Sequence, residues 1–255
     1  MESMPSSRAL LDRYRRLADA SFTVVDVETT GLKLPQARVI EVSILQGTLR
    51  DGIRNQFTTL IDPGIPVPEV ITRITGIDTP MLAGAPTAPH IWPRLLPRLE
   101  PGVLVAHNLS FDYRFLRAEL QRQQIDWSKA EADQLCTVRL SRRLLSELPS
   151  RSLPDLVRHF GFPVGESHRA EADTRACWHL LVLLMERLLG QDESSLLQEL
   201  GQEWLSLSEA ARIAGLSRQA TLRCLREQGH EPRVTQRGDQ HLYRRAWAEA
   251  LRDSS

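Results

Sequence analysis

An acid pair set among valines constrains this chain more than any other stretch of it. In Phe22-Thr-Val-Val-Asp-Val-Glu28, β-branched and apolar residues form a run closed by Thr29-Thr30-Gly31, which predicts a central, buried strand. Asp26 and Glu28 stand two apart, so both side chains leave the strand on one face. Two like charges on so apolar a strand cost several kcal/mol in desolvation and repulsion unless a cation or partner compensates them. The D-x-E spacing is common by chance, and a solvent-facing strand end explains it as readily as a bound cation.

Further strands are predicted at Val39 to Leu45 and Phe57 to Ile61, divided by the turn-prone Arg50-Asp51-Gly52, which makes an antiparallel meander. Val103 to His107 is a short apolar strand, and Ser110 stands where an N-cap would open a helix running to about Gln121. Helical periodicity recurs at Thr137 to Leu145, at Leu153 to Phe160 and most strongly at Ala170 to Leu189. Strands first and helix-linked elements after them predict an α/β domain with a mixed sheet covered by helices. At 255 residues the chain has room for one substantial core and a smaller second unit. Its 42% hydrophobic and 25% charged residues exclude disordered, collagen-like and disulfide-scaffold classes. The longest dense apolar stretch, Trp178 to Met185, is too short to span a bilayer, and the arginine-rich N-terminus lacks a leader pattern. No membrane partner and a cytoplasmic address are therefore expected. Cys136, Cys177 and Cys224 are odd in number and widely spaced, which predicts reduced, structural thiols.

Two more acids fall where a chain end meets the predicted sheet. Asp112 lies in the first turn of the helix after strand 103–107, a place the helix dipole favours for an acid in any case. His168-Arg-Ala-Glu-Ala-Asp173 sets an imidazole before the long apolar helix and an acid in its first turns. Three ordered motifs now stand over roughly residues 20–190: Val25-Asp-Val-Glu-Thr-Thr-Gly-Leu32, Ala106-His-Asn-Leu-Ser-Phe-Asp112 and His168-x-Ala-x-x-Asp173. The set resembles the DEDDh (DnaQ-like) 3′-to-5′ exonucleases, the family of the DNA polymerase III epsilon subunit and ribonuclease T. Ile74-Thr-Gly-Ile77, Thr137-Val-Arg-Leu140 and Leu153-Pro-Asp-Leu156 before Gly161 resemble the family as well. Thr75 departs from it, standing where many members have histidine at a substrate-side contact.

The resemblance implies a ribonuclease H-like fold, a mixed five-stranded sheet flanked by helices. By matching position it implies Asp26, Glu28, Asp112 and Asp173 as ligands of two divalent cations, Mg²⁺ or Mn²⁺, with His168 as general base. Oxygen-only ligands suit such hard cations, and a pair of them can clamp an in-line displacement at phosphorus. An imidazole just before a helix N-terminus is held toward its neutral, basic form. The Thr29-Thr30-Gly31-Leu32 turn is implied to grip the terminal nucleotide, flanked by Asn108 and Phe111, with His107 favoured for a supporting role behind the site. Leu32 and Phe111 could equally be core residues. The implied substrate is the 3′ end of single-stranded DNA or RNA, DNA favoured, with nucleoside monophosphates released. A proofreading subunit bound to the polymerase III alpha subunit is the alternative, although no clear clamp-binding peptide occurs between 190 and 205.

Formal charge is zero overall, yet residues 206–255 hold nine arginines against six acids. Ser208 to Leu216 and Ser217 to Gln228 have helix-turn-helix spacing. Val234 to Tyr243 reads as a hairpin wing broken by Arg237-Gly238-Asp239, and Arg245 to Arg252 as a last helix. Leu207, Ala211, Gly215, Leu216, Leu222 and Leu225 carry the matching core pattern, and the stretch resembles the winged modules of MerR-type regulators and excisionases. Arg218, Gln219, Arg223 and Arg226 on the second helix, with Arg237 at the wing tip, are the expected nucleic-acid contacts. The competing readings are a small module docking on protein with its arginines solvated, and a DNA-binding regulator acting through residues 207–245. Trp92, Trp127, Trp178, Trp204 and Trp247 show no clustering and are assigned to packing. The expected organisation is a helical extension over 1–20, the nuclease domain over 21–190, a linker over 191–205 whose scattered leucines equally allow a short helix, and the helix-turn-helix-like domain over 206–255. No self-complementary face is evident, so oligomeric state stays open.

Overall fold

A computed structural model describes residues 4–165, 168–235 and 240–253. In chain order the elements begin with α1 (Ser7–Arg16), β1 (Ser21–Thr29), β2 (Val39–Thr48), β3 (Gly52–Leu60), α2 (Glu69–Thr75), α3 (Ala88–Leu99) and β4 (Val103–Ala106). There follow α4 (Leu109–Arg122), β5 (Gln134–Cys136), α5 (Thr137–Leu144), α6 (Leu153–Phe160) and α7 (Ala170–Gly190). The chain continues through α8 (Glu193–Gly201), β6 (Trp204–Ser206), α9 (Leu207–Ala214), α10 (Arg218–Glu227), β7 (Arg233–Val234), β8 (His241–Arg244) and α11 (Arg245–Asp253). These residues divide into two compact units, one of Asp19–Leu140 with Ser150–Leu183, the other of Met1–Ala18, Ser141–Pro149 and Leu184–Ser255. No helix among the described residues is long and apolar enough to cross a membrane.

The larger unit is an α/β domain on a mixed five-stranded sheet of order β3-β2-β1-β4-β5. The expected meander is present: β1 pairs with β2 and β2 with β3 antiparallel, while β4 joins β1 and β5 joins β4 in parallel. The hairpin between β2 and β3 closes at Gly52, whose φ of 73° only glycine adopts without strain. Alternation along β1 serves two layers. Val25 and Val27 face a core of Ile91, Trp92, Leu95 and Leu99 from α3 with Phe115, Leu116 and Leu120 from α4. Phe22 points the other way and meets the Trp178 ring of α7 edge-on, 6.5 Å between centroids. Burying Phe22 contributes roughly 1.5–3 kcal/mol. Opposite Phe22 stands Gly47, where a Cβ would lie 2.7 Å from Trp178 Cη2, so α7 packs close only because this strand position lacks a side chain. Asp26 and Glu28, in phase with Phe22, share that α7 side of the sheet.

One boundary departs from the expectations. The helix after β4 starts at Leu109 rather than at a Ser110 cap: Asn108 is the N-cap in a left-handed conformation, φ 82°, and the Ser110 hydroxyl donates to Asn108 Oδ1 at 3.3 Å. α3 contains Pro93 and Pro97, residues that normally end a helix. With Pro89 they recur every fourth position on the exposed side, where the carbonyls left without N–H partners meet water, while the opposite stripe fills the core. The stretch read as a short helix or linker over 191–205 contains a helix: Asp192 caps α8 by accepting from the Ser195 N–H at 3.0 Å, and β6 begins at Trp204.

In the smaller unit α9 and α10 are joined by Gly215-Leu216-Ser217. A reciprocal Ser206 and Glu209 capping box opens α9, Gly215 at φ 70° ends it, and Ser217 caps α10. β6, β8 and β7 form an antiparallel sheet in that order, with α11 after it. The expected wing strands are β7 and β8, and β6 is an addition that the sequence did not announce. Ile213, Leu225, Tyr243, Ala248 and Leu251 make this unit's core.

Candidate active site

β1 delivers two of the acids and α7 the third. Asp26, Glu28 and Asp173 each offer a carboxylate oxygen, and the three oxygens lie within 4.8 Å of one another. The regular pairing of β1 with β2 shifts between Glu28 and Thr29, so a bulge interrupts the ladder directly after the acid pair, with Thr29 opposite Val39 beyond it. Asp112, 3% exposed in the first turn of α4, is held against the same strand: its Oδ1 accepts the Val27 N–H at 3.2 Å. The parallel ladder with β4 stops at Val24, and Asp112 supplies the acceptor the ladder no longer provides.

Burial and mutual repulsion set the electrostatics. Desolvation pushes Asp26 well above the usual carboxylate range, helped by the charges of Asp112, Asp173 and Glu41. Desolvation likewise lifts Glu28 to about 9, with Asp26, Asp173 and Glu41 adding to it and Arg169 partly opposing. Asp173 is raised by burial against the opposing backbone N–H and charge of His168. Asp112 is raised by burial, which outweighs backbone hydrogen bonds that include the Val27 N–H. Four carboxylates that resist ionisation together, with oxygen donors only, fit hard divalent cations: each added positive charge relieves the repulsion that raises them.

The other expected site residues separate into two groups. Leu32 is 70% exposed at the tip of its turn, and its carbonyl accepts from Arg114 Nη2 at 2.8 Å. Arg114 in turn lies over the half-buried Phe111 ring, 5.1 Å from its centroid, so Leu32 and Phe111 are tied through one guanidinium. Asn108 is exposed beside them in sequence. Thr29 and Thr30 are buried and hold the turn itself: the Thr29 hydroxyl donates to the Gly31 carbonyl at 2.6 Å, and Thr30 Oγ1 accepts the Arg38 N–H at 2.9 Å. His107, half-buried, is bound on both sides of its ring. Its Nε2 lies 2.9 Å from the Arg151 carbonyl, which can only accept, and its Nδ1 lies 2.9 Å from the Thr137 hydroxyl. Both ring nitrogens are thereby engaged in bracing the end of β4 to the following elements.

His168 is exposed, with φ 66°, and its backbone N–H donates to Asp173 Oδ2 at 2.9 Å. Glu41 is the residue the sequence reading missed. It stands opposite Glu28 on β2, 1% exposed, and binds Arg169 and the Ala170 N–H. The signal was the one used for Asp26, a lone acid inside an apolar strand, Val39-Ile-Glu-Val-Ser-Ile-Leu45. In the smaller unit Arg218, Gln219, Arg223 and Arg226 are all exposed on α10, and Arg223 Nε lies 4.0 Å from Glu227. Arg237 lies outside the described residues.

An exonuclease family model of the ribonuclease T type matches residues 23–181. A Mycobacterium tuberculosis protein carrying the provisional name of a bifunctional exonuclease/endonuclease is 38% identical over 183 residues, 69% of this chain and 28% of that protein. The chain thus spans under a third of that relative's length. DNA polymerase III subunit epsilon of Aquifex aeolicus is 31% identical over 189 residues, 74% of this chain and 90% of the subunit. Among solved structures, E. coli exonuclease I in complex with a dT13 oligonucleotide superposes with a TM-score of 0.61 at 19% identity, over 67% of this chain and 42% of that one, a likeness of fold.

Proposed function

The chain belongs to the exonuclease family whose model spans its residues 23–181, and from that premise we propose that it is a divalent-cation-dependent 3′-to-5′ exonuclease. It would release nucleoside monophosphates from the 3′ end of single-stranded nucleic acid, DNA before RNA. The observation that carries this reading is the trio of Asp26, Glu28 and Asp173 oxygens within 4.8 Å, inside the matched segment and with Asp112 fixed against the same strand.

In this reading Asp26, Glu28, Asp112 and Asp173 hold two cations, Mg²⁺ or Mn²⁺. Bound there, such ions would polarise the attacking water and offset the charge gathering on the departing 3′ oxygen. The chain's own residues supply the rest. The His168 imidazole, borne on an exposed backbone turn, takes a proton from the attacking water as its oxygen bonds to phosphorus and the bond to the 3′ oxygen breaks. The departing 3′ oxygen takes a proton from solvent water, and His168 returns its own proton to solvent. The exposed Leu32, pinned through Arg114 to the Phe111 side, presents an apolar contact for the terminal sugar and base. α10 offers Arg218, Gln219, Arg223 and Arg226 as a second, sequence-independent hold on the strand.

A second reading, the proofreading partner of a polymerase alpha subunit, is favoured by one observation: the match extends over 90% of the Aquifex epsilon subunit. Release of mononucleotides from 3′-labelled and 5′-labelled single-stranded DNA and RNA with Mg²⁺ or Mn²⁺, beside Asp26→Ala, tests the first reading. Loss from the 3′ end that EDTA and Asp26→Ala both abolish is expected. Cleavage of neither polymer by folded, cation-loaded protein would overturn it. Co-purification with a polymerase alpha subunit would decide for the second.

A further inference from the structure

Glu41 is a carboxylate in a place that repels one. It stands directly across from Glu28 in the β1–β2 register, where like charges on one sheet face destabilise the pairing. Burial at 1% exposure removes the solvent that would screen them. Three donors compensate it: Arg169 Nη2 to Oε1 at 2.8 Å, Arg169 Nε to Oε2 at 3.3 Å, and the Ala170 backbone N–H to Oε2 at 2.9 Å. Ala170 opens α7, so this N–H is one of the helix's donors without an intrahelical partner. A forked guanidinium and a helix N-terminus on one carboxylate make a directional, charge-assisted anchor.

That anchor sits between two residues of the site. His168 lies two residues before Ala170 and Asp173 three after it, and the His168 N–H is itself committed to Asp173 Oδ2. Where Glu41 holds the start of α7 therefore fixes where the Asp173 oxygen stands relative to Asp26 and Glu28. Resting on the exonuclease reading, we propose that Glu41, through Arg169 and the Ala170 N–H, is a positioning residue: it sets the 168–173 segment against the acid pair of β1. It holds no cation and touches no substrate in this role. Its effect runs through the residues it places.

Two substitutions in the full chain separate positioning from charge. Arg169→Lys keeps the positive charge at a partly exposed site, 44% for the side chain, but removes the fork. Glu41→Gln keeps the volume and an oxygen for the Ala170 N–H but removes the ion pair. Binding of Mn²⁺ is read by spin-resonance titration without substrate, and kcat and KM are read on a 3′-labelled single strand. Positioning predicts Mn²⁺ affinity and kcat about 10–100-fold lower in both variants, the usual effect of losing a partner that orients cation ligands. KM should stay within about threefold, because the grip on the strand is untouched. Arg169→Lys that binds Mn²⁺ and turns over like the parent, beside an active parent, would overturn this inference alone. If Glu41→Gln does not fold, Arg169→Lys decides by itself. A parent chain without nuclease activity would overturn the exonuclease reading and this inference with it.

Discussion

The backbone N–H of His168 donates to Asp173 Oδ2 at 2.9 Å, closing the segment from His168 to Asp173, whose first residue has φ 66°. A non-glycine residue in that region carries strain, which the hydrogen bond and the anchoring of α7 offset. The imidazole is thus separated in function from its own backbone: the N–H serves Asp173 while the ring is left exposed.

This separation predicts the behaviour of His168→Ala. The substitution keeps the N–H, so Mn²⁺ affinity should be nearly that of the parent, while kcat falls by about 10²–10⁴-fold through loss of the general base. A parallel Mn²⁺ titration and single-turnover assay checks both halves. A loss of Mn²⁺ binding equal to the loss of rate would show that the ring, too, holds the site together.

The acid cluster predicts how stability varies with pH when no cation is bound. Glu28 titrates at about 9 in the fold against 4.5 ordinarily, so the folded state holds its proton more tightly than the unfolded chain does. Stability is then fully present below the ordinary value and is lost as pH rises toward 9, with Asp26 and Asp173, raised in the same direction, adding to the fall. Melting in EDTA should accordingly drop from mildly acid to alkaline pH, and Mg²⁺ should restore most of the difference at the alkaline end. Asp26→Asn should melt higher than the parent in EDTA and gain little from Mg²⁺. A parent melting point independent of pH in EDTA would contradict the burial argument.

Leu32 offers a test of the substrate grip that leaves the cation site alone. At 70% exposure its removal opens no cavity, so Leu32→Ala should change stability by no more than about 0.5 kcal/mol. If it contacts the terminal nucleotide, KM for a single strand should rise several-fold with Mn²⁺ affinity unchanged. An unaltered KM would return Leu32 to the ordinary scatter of exposed apolar residues.

Asp26 and Glu28 were legible because burial makes a carboxylate on an apolar strand conspicuous, whereas Asp112 and Asp173, in the first turns of helices, stood out only through the ordered family motifs; the reasoning used for Asp26 would also have found Glu41. What hid Glu41 is that its compensation comes from Arg169, distant in sequence, and no local pattern announces that pairing. α3 was illegible for a different reason. Pro93 and Pro97 argue against a helix one residue at a time, yet they share the solvent side, so the burial of Ile91, Trp92, Leu95 and Leu99 outweighs the lost hydrogen bonds. For His107 the sequence suggested a supporting place but not its partners, because the Arg151 carbonyl and the Thr137 hydroxyl that meet its two nitrogens are distant in sequence. α6, with its apolar stripe, and α7, apolar on most of its faces, appear over the residues the sequence marked as helical.

Salt dependence offers the sharpest test of the α10 arginines. Arg218 and Arg226 are exposed on that helix, whereas Arg223 lies 4.0 Å from Glu227 and has part of its charge met within the helix. An arginine that reaches a phosphate releases a counterion, so the slope of log affinity against log salt for a single strand should shrink by about 0.7 for each contact removed. Binding is measured on Asp26→Ala protein, which cannot degrade the probe. Arg218→Gln with Arg226→Gln should then lower the slope by about 1.4 and weaken binding at low salt, while Arg223→Gln should change it less. A slope unaffected by all three substitutions would assign these guanidinium groups to solvent, and the α9–α10 pair to a protein partner.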